Sequence, residues 1–218
     1  MDAIEQPKSL TDQTYNILLN AICSGDFEPG QRLNQDEIAA RLKVSRQPVN
    51  SAISVLKSNG LVHDTGRRGV VVSQISLEQF LSIYEFRSAL EPFAVSLAHK
   101  RKPPNAKQQA QTMLKRGWEA VKSQDPRLQI DTDFEFHAMI YRWAGNSTII
   151  ETMQMNWHHI RRAIGVVVRQ GVAVETSWEQ HEKIIEALLH DDVQGAEMEM
   201  KLHIHRAQAR TEAILSQN

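Results

Sequence analysis

The sequence predicts a mainly α chain in two parts: three short helices with a β-hairpin, then an all-α antiparallel helical bundle. Three observations carry that expectation. Apolar residues recur at i, i+3, i+4 and i+7 along most of the 218 residues. Strand-forming runs cluster in one stretch, "LVHDTGRRGVVVS". After Ser76 the pattern changes from short elements to long amphipathic segments. The expected domains are therefore 1–75 and 76–218.

Each element has its own reason. Over 10–24, Tyr15, Leu18, Leu19 and Ile22 form an apolar stripe, and "SGDFEPGQRL" ends it with Gly25, Pro29 and Gly30. A short helix follows at 35–43, with Ile38 and Leu42 on one side. The next stretch, "VSRQPVN", holds a proline, yet Val49, Ala52, Ile53 and Leu56 keep helical spacing after it. Proline is tolerated in a first turn, whose N–H groups lack intrahelical partners. A third helix therefore runs from Arg46 to Ser58, with Ser45 as N-cap, its hydroxyl accepting from a first-turn amide. Asn59-Gly60 stops it. Leu61–His63 and Val70–Val72 flank a glycine-containing loop and read as a hairpin. Helices are then expected at 76–101, 106–123, 128–144, 147–169, 175–190 and 193–216. Breaks fall at "KPPN", "SQDP", "AGNS", "RQGVAVE" and "HDD".

Composition narrows the class. Hydrophobic content is 41% and the net charge is −1, so no global field selects a partner. The charge is uneven, however. Residues 1–40 carry two basic and seven acidic side chains, whereas residues 41–75 carry six basic ones against Asp64 alone. A basic cluster in a neutral chain suits nucleic acid, and equally a solvated face. Cys23 is the single cysteine, so neither a disulfide framework nor a thiolate metal site is expected. The amino terminus lacks a signal-peptide pattern, and no run approaches 18 apolar residues. A cytoplasmic protein with no membrane partner is expected.

Two helices joined by a tight turn form a helix-turn-helix, in which the start of the second helix meets base edges. Ser45, Arg46, Gln47 and Asn50 lie there, off the apolar stripe. Arginine pairs bidentately with guanine, and Gln or Asn with adenine. Arg67 and Arg68 at the hairpin tip can reach phosphates or a minor groove. The stretch "LNQDEIAARLKVSRQPVNSAISVLKSNGLVHDTGRRGVVV" resembles the winged-helix domain of GntR-family transcription regulators, over residues 10–75. The resemblance implies a DNA reader with a wing that contains Gly69. One departure is Asn50-Ser51, where such regulators commonly carry Arg-Glu; it implies a base preference of the chain's own.

In the second part, "IDTDFEFHAMIYRWAG" places Ile130, Asp133, Phe134, His137, Ile140, Tyr141 and Ala144 on one helical face. Asp133 and His137 stack four residues apart. A carboxylate in an apolar stripe is costly unless paired or metal-bound, so a buried Asp–His hydrogen bond and a metal site both satisfy it. His181 lies on a face with Trp178, Ile185 and Leu188, and His203 on one with Ala196, Met200 and Ala207. One aspartate and three histidines thus face inward, a set suited to zinc or another first-row ion. The pattern D-x3-H, then Gly145-Asn146, H-x-x-I-x-x-A-L and A-x3-M-x2-H resembles the all-helical FCD ligand-binding domain. That domain follows the winged helix in the FadR-type subfamily, and "YEFRSALEPFAVSLA" resembles its first helix. The resemblance implies Asp133, His137, His181 and His203 as ligands of a divalent ion: zinc, with nickel or manganese as alternatives. It implies Arg87 as a partner for an anionic effector, although Arg87 could equally pair with Glu91 at i+4.

A His3Asp site could also activate water. However, "HEKII" lacks the second histidine of a zincin, and no nucleophile or phosphate-loop motif occurs. The expectation is a non-enzymatic, ligand-responsive repressor: a homodimer on an operator, controlled by a small organic acid. A regulator with a purely structural metal is the alternative, and a metal-dependent hydrolase a remoter one.

Overall fold

The computed structural model describes residues 9–66, 69–170 and 175–216. The chain divides between Ile75 and Ser76 into two compact units. Among the described residues it is mainly α, with nine helices and one three-stranded sheet.

The first unit holds α1 (Leu10–Ser24), β1 (Arg32–Leu33), α2 (Gln35–Leu42), α3 (Arg46–Ser58), β2 (Val62–Asp64) and β3 (Val70–Val72). Three signals set its boundaries. Gly25 closes α1 at φ 83°, a conformation that costs glycine nothing. Asn34 caps α2 by accepting from the Asp36 and Glu37 amides. Asn59 ends α3, and Gly60 turns the chain at positive φ. Leu18, Ile22, Ile38, Val49, Ala52, Ile53, Leu56, Leu61 and Val72 form the core.

The sheet differs from the expected hairpin by one strand. β3 lies between β2 and β1, antiparallel to both, with Leu33 opposite Val70 and Arg32 opposite Val71. β1 is two residues long with one buried side chain, too short to show a period of two. Pairing with β3 stabilises it, and Val72 and Gln31 extend the ladder through a 2.9 Å N–H···O bond.

The second unit is the helical bundle: α4 (Leu77–Arg101), α5 (Ala106–Ser123), α6 (Pro126–Ala144), α7 (Ser147–Arg169), α8 (Glu175–Leu189) and α9 (Val193–Leu215). α4 packs on α6, α7 and α9, and α8 packs on α5 and α9. Its core is aromatic and aliphatic, with Tyr84, Phe136, Ile140, Trp143, Trp157, Trp178 and Met200 buried. Gly117 lets α5 and α8 approach closely: a Cβ there would sit 2.0 Å from the Trp178 ring. Pro126 starts α6, two residues earlier than expected, behind the Asp125 cap. Gly145 ends that helix in the left-handed region at φ 57°.

Candidate metal centre and nucleic-acid interface

Ser45, Arg46, Gln47 and Asn50 are exposed at the start of α3, while Pro48, Val49, Ala52, Ile53 and Leu56 are buried. The helix thus presents polar groups outward from a fixed apolar base. Ser45 occupies the N-cap position in extended conformation, but its side chain makes no capping hydrogen bond. Arg46 pairs with Asp36 of α2 at 3.0 Å, both side chains well exposed. Lys57 pairs with Asp64 at 2.7 Å, tying α3 to β2. The wing loop closes through Thr65, whose amide and hydroxyl both donate to the Gly69 carbonyl, at 2.8 and 3.0 Å. Gly69 itself needs φ 83°, a region that disfavours any side chain. Arg67 and Arg68 lie outside the described residues.

In the bundle, four side chains from three helices meet. Asp133 and His137 come from α6, His181 from α8 and His203 from α9; one ligand atom from each falls within 4.8 Å of all the others. The three histidines are buried, and Asp133 is nearly so. His181 Nε2 lies 3.3 Å from His203 Nε2 and 3.7 Å from Asp133 Oδ1. Phe136 stacks on His181 at 3.8 Å, and Trp178 meets its edge at 4.7 Å.

A second layer orients this set. Glu91 of α4 accepts from His137 Nδ1 at 2.7 Å and also from Arg87 Nε. A carboxylate accepts only, so the His137 proton sits on Nδ1 and the Nε2 lone pair is available. Gln180 Oε1 does the same for His203 Nδ1 at 3.0 Å. Carboxylate or amide acceptors behind histidines are the usual outer shell of a metal site.

Electrostatics agree with this assignment. Burial, then His203 and His137 nearby, pushes His181 well below the ordinary imidazole pKa; burial, His137 and Arg87 do the same to His203. Burial raises Glu91, but Arg87 and His137 outweigh it and hold the carboxyl below its usual range. Burial lowers Arg87, yet Glu91 more than restores its positive charge. Burial raises Asp133. The His181 and His203 imidazoles are therefore held in the neutral form, the form that binds metal.

The residues fit a divalent ion. With Zn–N bonds of about 2.0–2.1 Å, a tetrahedral edge is roughly 3.3 Å. That matches the 3.3 Å between His181 and His203 Nε2. Two imidazole lone pairs facing at this distance repel unless a proton or a cation lies between them. Three nitrogens and one carboxylate oxygen suit zinc, nickel or manganese.

Beside the cluster is a cavity of about 40 Å³, lined by Tyr84, Arg87, Asp133, Ser177, His203 and Arg210 among others. Arg87 forms the i,i+4 pair with Glu91 and also reaches this wall; its Nη2 lies 3.5 Å from His137 Nε2. The sequence offers Glu91 only as the i,i+4 partner of Arg87, and it does not mark Gln180, Ser177 or Arg210. Arg210 carried a usable signal, since it follows His203 by seven and so shares its helical face.

In chain order, a winged helix-turn-helix precedes an all-helical bundle. The chain belongs to the GntR family: residues 10–72 match the bacterial regulatory proteins of the gntR family, and residues 82–206 match the FCD domain. It is similar to the Nta operon transcriptional regulator of Aminobacter aminovorans, 31% identical over 143 residues, 63% of this chain and 65% of that one. It is also similar to the HTH-type transcriptional repressor RspR of Escherichia coli (strain K12), 27% identical over 220 residues, 96% of this chain and 92% of that one. Three of the curated relatives are matched over less than two thirds of their own length, 42%, 65% and 48%. Among solved structures, E. coli McbR/YncC shares the fold with a TM-score of 0.81 at 23% identity, covering 97% of this chain and 99% of that chain. The family and these relatives are regulators of transcription, not enzymes. No helix among the described residues is long and apolar enough to cross a membrane.

Proposed function

We propose that the chain is a ligand-responsive transcriptional repressor of the cytoplasm, acting as a homodimer. Two copies of α3 would read a pseudo-palindromic operator, as two-fold symmetry requires. Ser45, Arg46, Gln47 and Asn50 contact bases in this reading, and Arg67, Arg68 and Gly69 bring the wing to the backbone or minor groove. Asp133, His137, His181 and His203 hold a divalent ion, which supplies a Lewis-acidic centre for an anion. A small organic acid occupies the neighbouring cavity, with Arg87 on its wall. Its differential affinity for one arrangement of the protein changes operator affinity.

The observation that carries this reading is the convergence of four ligand atoms within 4.8 Å, directly beside a cavity whose wall includes Arg87 and Arg210. That RspR is a repressor supports the sign of regulation. The test is operator affinity of the metal-loaded chain during titration with small carboxylates: a fall is expected, and constant affinity across the panel refutes effector control. His181→Ala with His203→Ala should abolish stoichiometric metal, and retained metal refutes the ligand set.

A second reading rests on one observation. Arg87 is already engaged by Glu91, and the cavity is small, as a purely structural ion would allow. Chelation would then lower stability, with no carboxylate dependence of DNA binding.

A further inference from the structure

We infer that the effector is a small dianion that spans the cavity from the metal cluster to Arg210, which acts as the specificity-determining residue for its second acidic group. This rests on the effector reading above and names the ligand class for that site.

Arg210 stands one face-repeat along α9 from His203, with Ala207 between them lining the same cavity. One Nη2–H donates to Ser177 Oγ of α8 at 2.8 Å. Its Nε is buried and has no hydrogen-bond partner. Among the described residues no carboxylate pairs with it. A buried N–H without an acceptor is costly, and a ligand anion would satisfy it. The Ser177 hydroxyl beside it supplies a further donor to the same group.

Two places in the site call for an acidic group: the ion proposed at the ligand cluster, and Arg210, whose buried Nε lacks an acceptor. A monocarboxylate would neutralise the metal end and leave Arg210 unanswered. The size of the cavity bounds the spacer. The cavity is small, which excludes a long spacer between two acidic groups and makes malonate the probe.

The test is calorimetric titration of the zinc-loaded full chain with malonate and with propionate, which matches it in carbon count. Wild type should prefer malonate by about tenfold or more. Arg210→Met should remove that preference and leave propionate affinity unchanged within about threefold. Ser177→Ala, which deletes only a hydroxyl, should weaken malonate alone and by less. Each variant must retain the zinc stoichiometry of wild type, which reports an intact bundle. Equal binding of both acids by wild type, or equal loss of both in Arg210→Met, overturns this inference and leaves the effector reading standing. Binding of neither acid by zinc-loaded wild type overturns both.

Discussion

The Glu91 carboxylate lies between Arg87 and His137, accepting from both, and so joins α4 to the candidate metal centre on α6. The carboxylate fixes the proton on His137 Nδ1 and leaves Nε2 facing the other ligands. Glu91→Gln keeps the shape and removes the charge. Metal affinity should fall about 10–100-fold, as for other outer-shell partners. A competition titration against a chromophoric chelator measures it. The buried Arg87 then lacks its counter-charge, so stability should also fall by about 3–5 kcal/mol.

The pH dependence follows from His181 and His203, both held well below the ordinary imidazole range. Between the folded and unfolded pKa values the unfolded chain binds more protons, so stability rises with pH there. The metal-free bundle should be most stable above about pH 6.5, the free-imidazole pKa, and should lose stability as pH falls below it. Glu91, also depressed, adds a further loss below the ordinary carboxyl range. Melting curves of the chelated protein from pH 8 to 5 test this; flat curves refute it.

Gly117 faces the Trp178 ring, where a Cβ would approach to 2.0 Å. Overpacking of this kind costs typically about 1–3 kcal/mol. Trp178 also packs on His181 and lines the cavity. Gly117→Ala should therefore lower thermal stability and weaken metal binding together, while operator recognition by isolated α3 residues is untouched. Denaturant unfolding and metal titration of one preparation measure both.

Arg46 is exposed beside Asp36 at 3.0 Å. Arg46→Ala should cost about 1–3 kcal/mol of discrimination at one base pair. Asp36→Asn removes the carboxylate beside Arg46, the proposed base reader, and should strengthen binding to all sequences, with the gain largest at low salt. Gel-shift titrations on operator and scrambled duplexes separate the two effects.

Metal should change one transition and spare another. At 1,000 times its dissociation constant, an ion that binds only the folded bundle stabilises it by about 4 kcal/mol. The winged-helix unit has its own core, with no residue in common with the bundle's. Calorimetry should resolve two transitions, of which chelation lowers one. A single transition that moves as a whole would refute independent cores.

Much of this architecture is legible because punctuation in the chain is strong. Asn59-Gly60, Gly145 and Pro126 mark helix ends through conformations that other residues reach only at a cost. The inward-facing Asp133, His137, His181 and His203 stand out because each interrupts an apolar stripe. β1 is illegible, since two residues carry no period and the strand exists through Val70 and Val71. The absent hydroxyl bond of Ser45 is also local detail: residue type sets the cap position, whereas the surroundings set the rotamer. Glu91 reads in sequence only as an i,i+4 partner of Arg87. Its burial, and its reach to His137, arise only when α4 packs on both α6 and α9. Arg210 shares the His203 face in sequence, but the burial of its Nε arises only from packing.

The separation of the two cores also bears on inheritance. A substitution that reshapes the cavity around Arg210 acts beside the bundle's core, which shares no residue with the core of the winged helix. A change at Asn50 alters an exposed position, proposed to read a base, and touches neither core. Ligand preference and operator preference can therefore drift along independent mutational paths. One architecture can thus be recruited to a new gene without first forgetting its chemical signal.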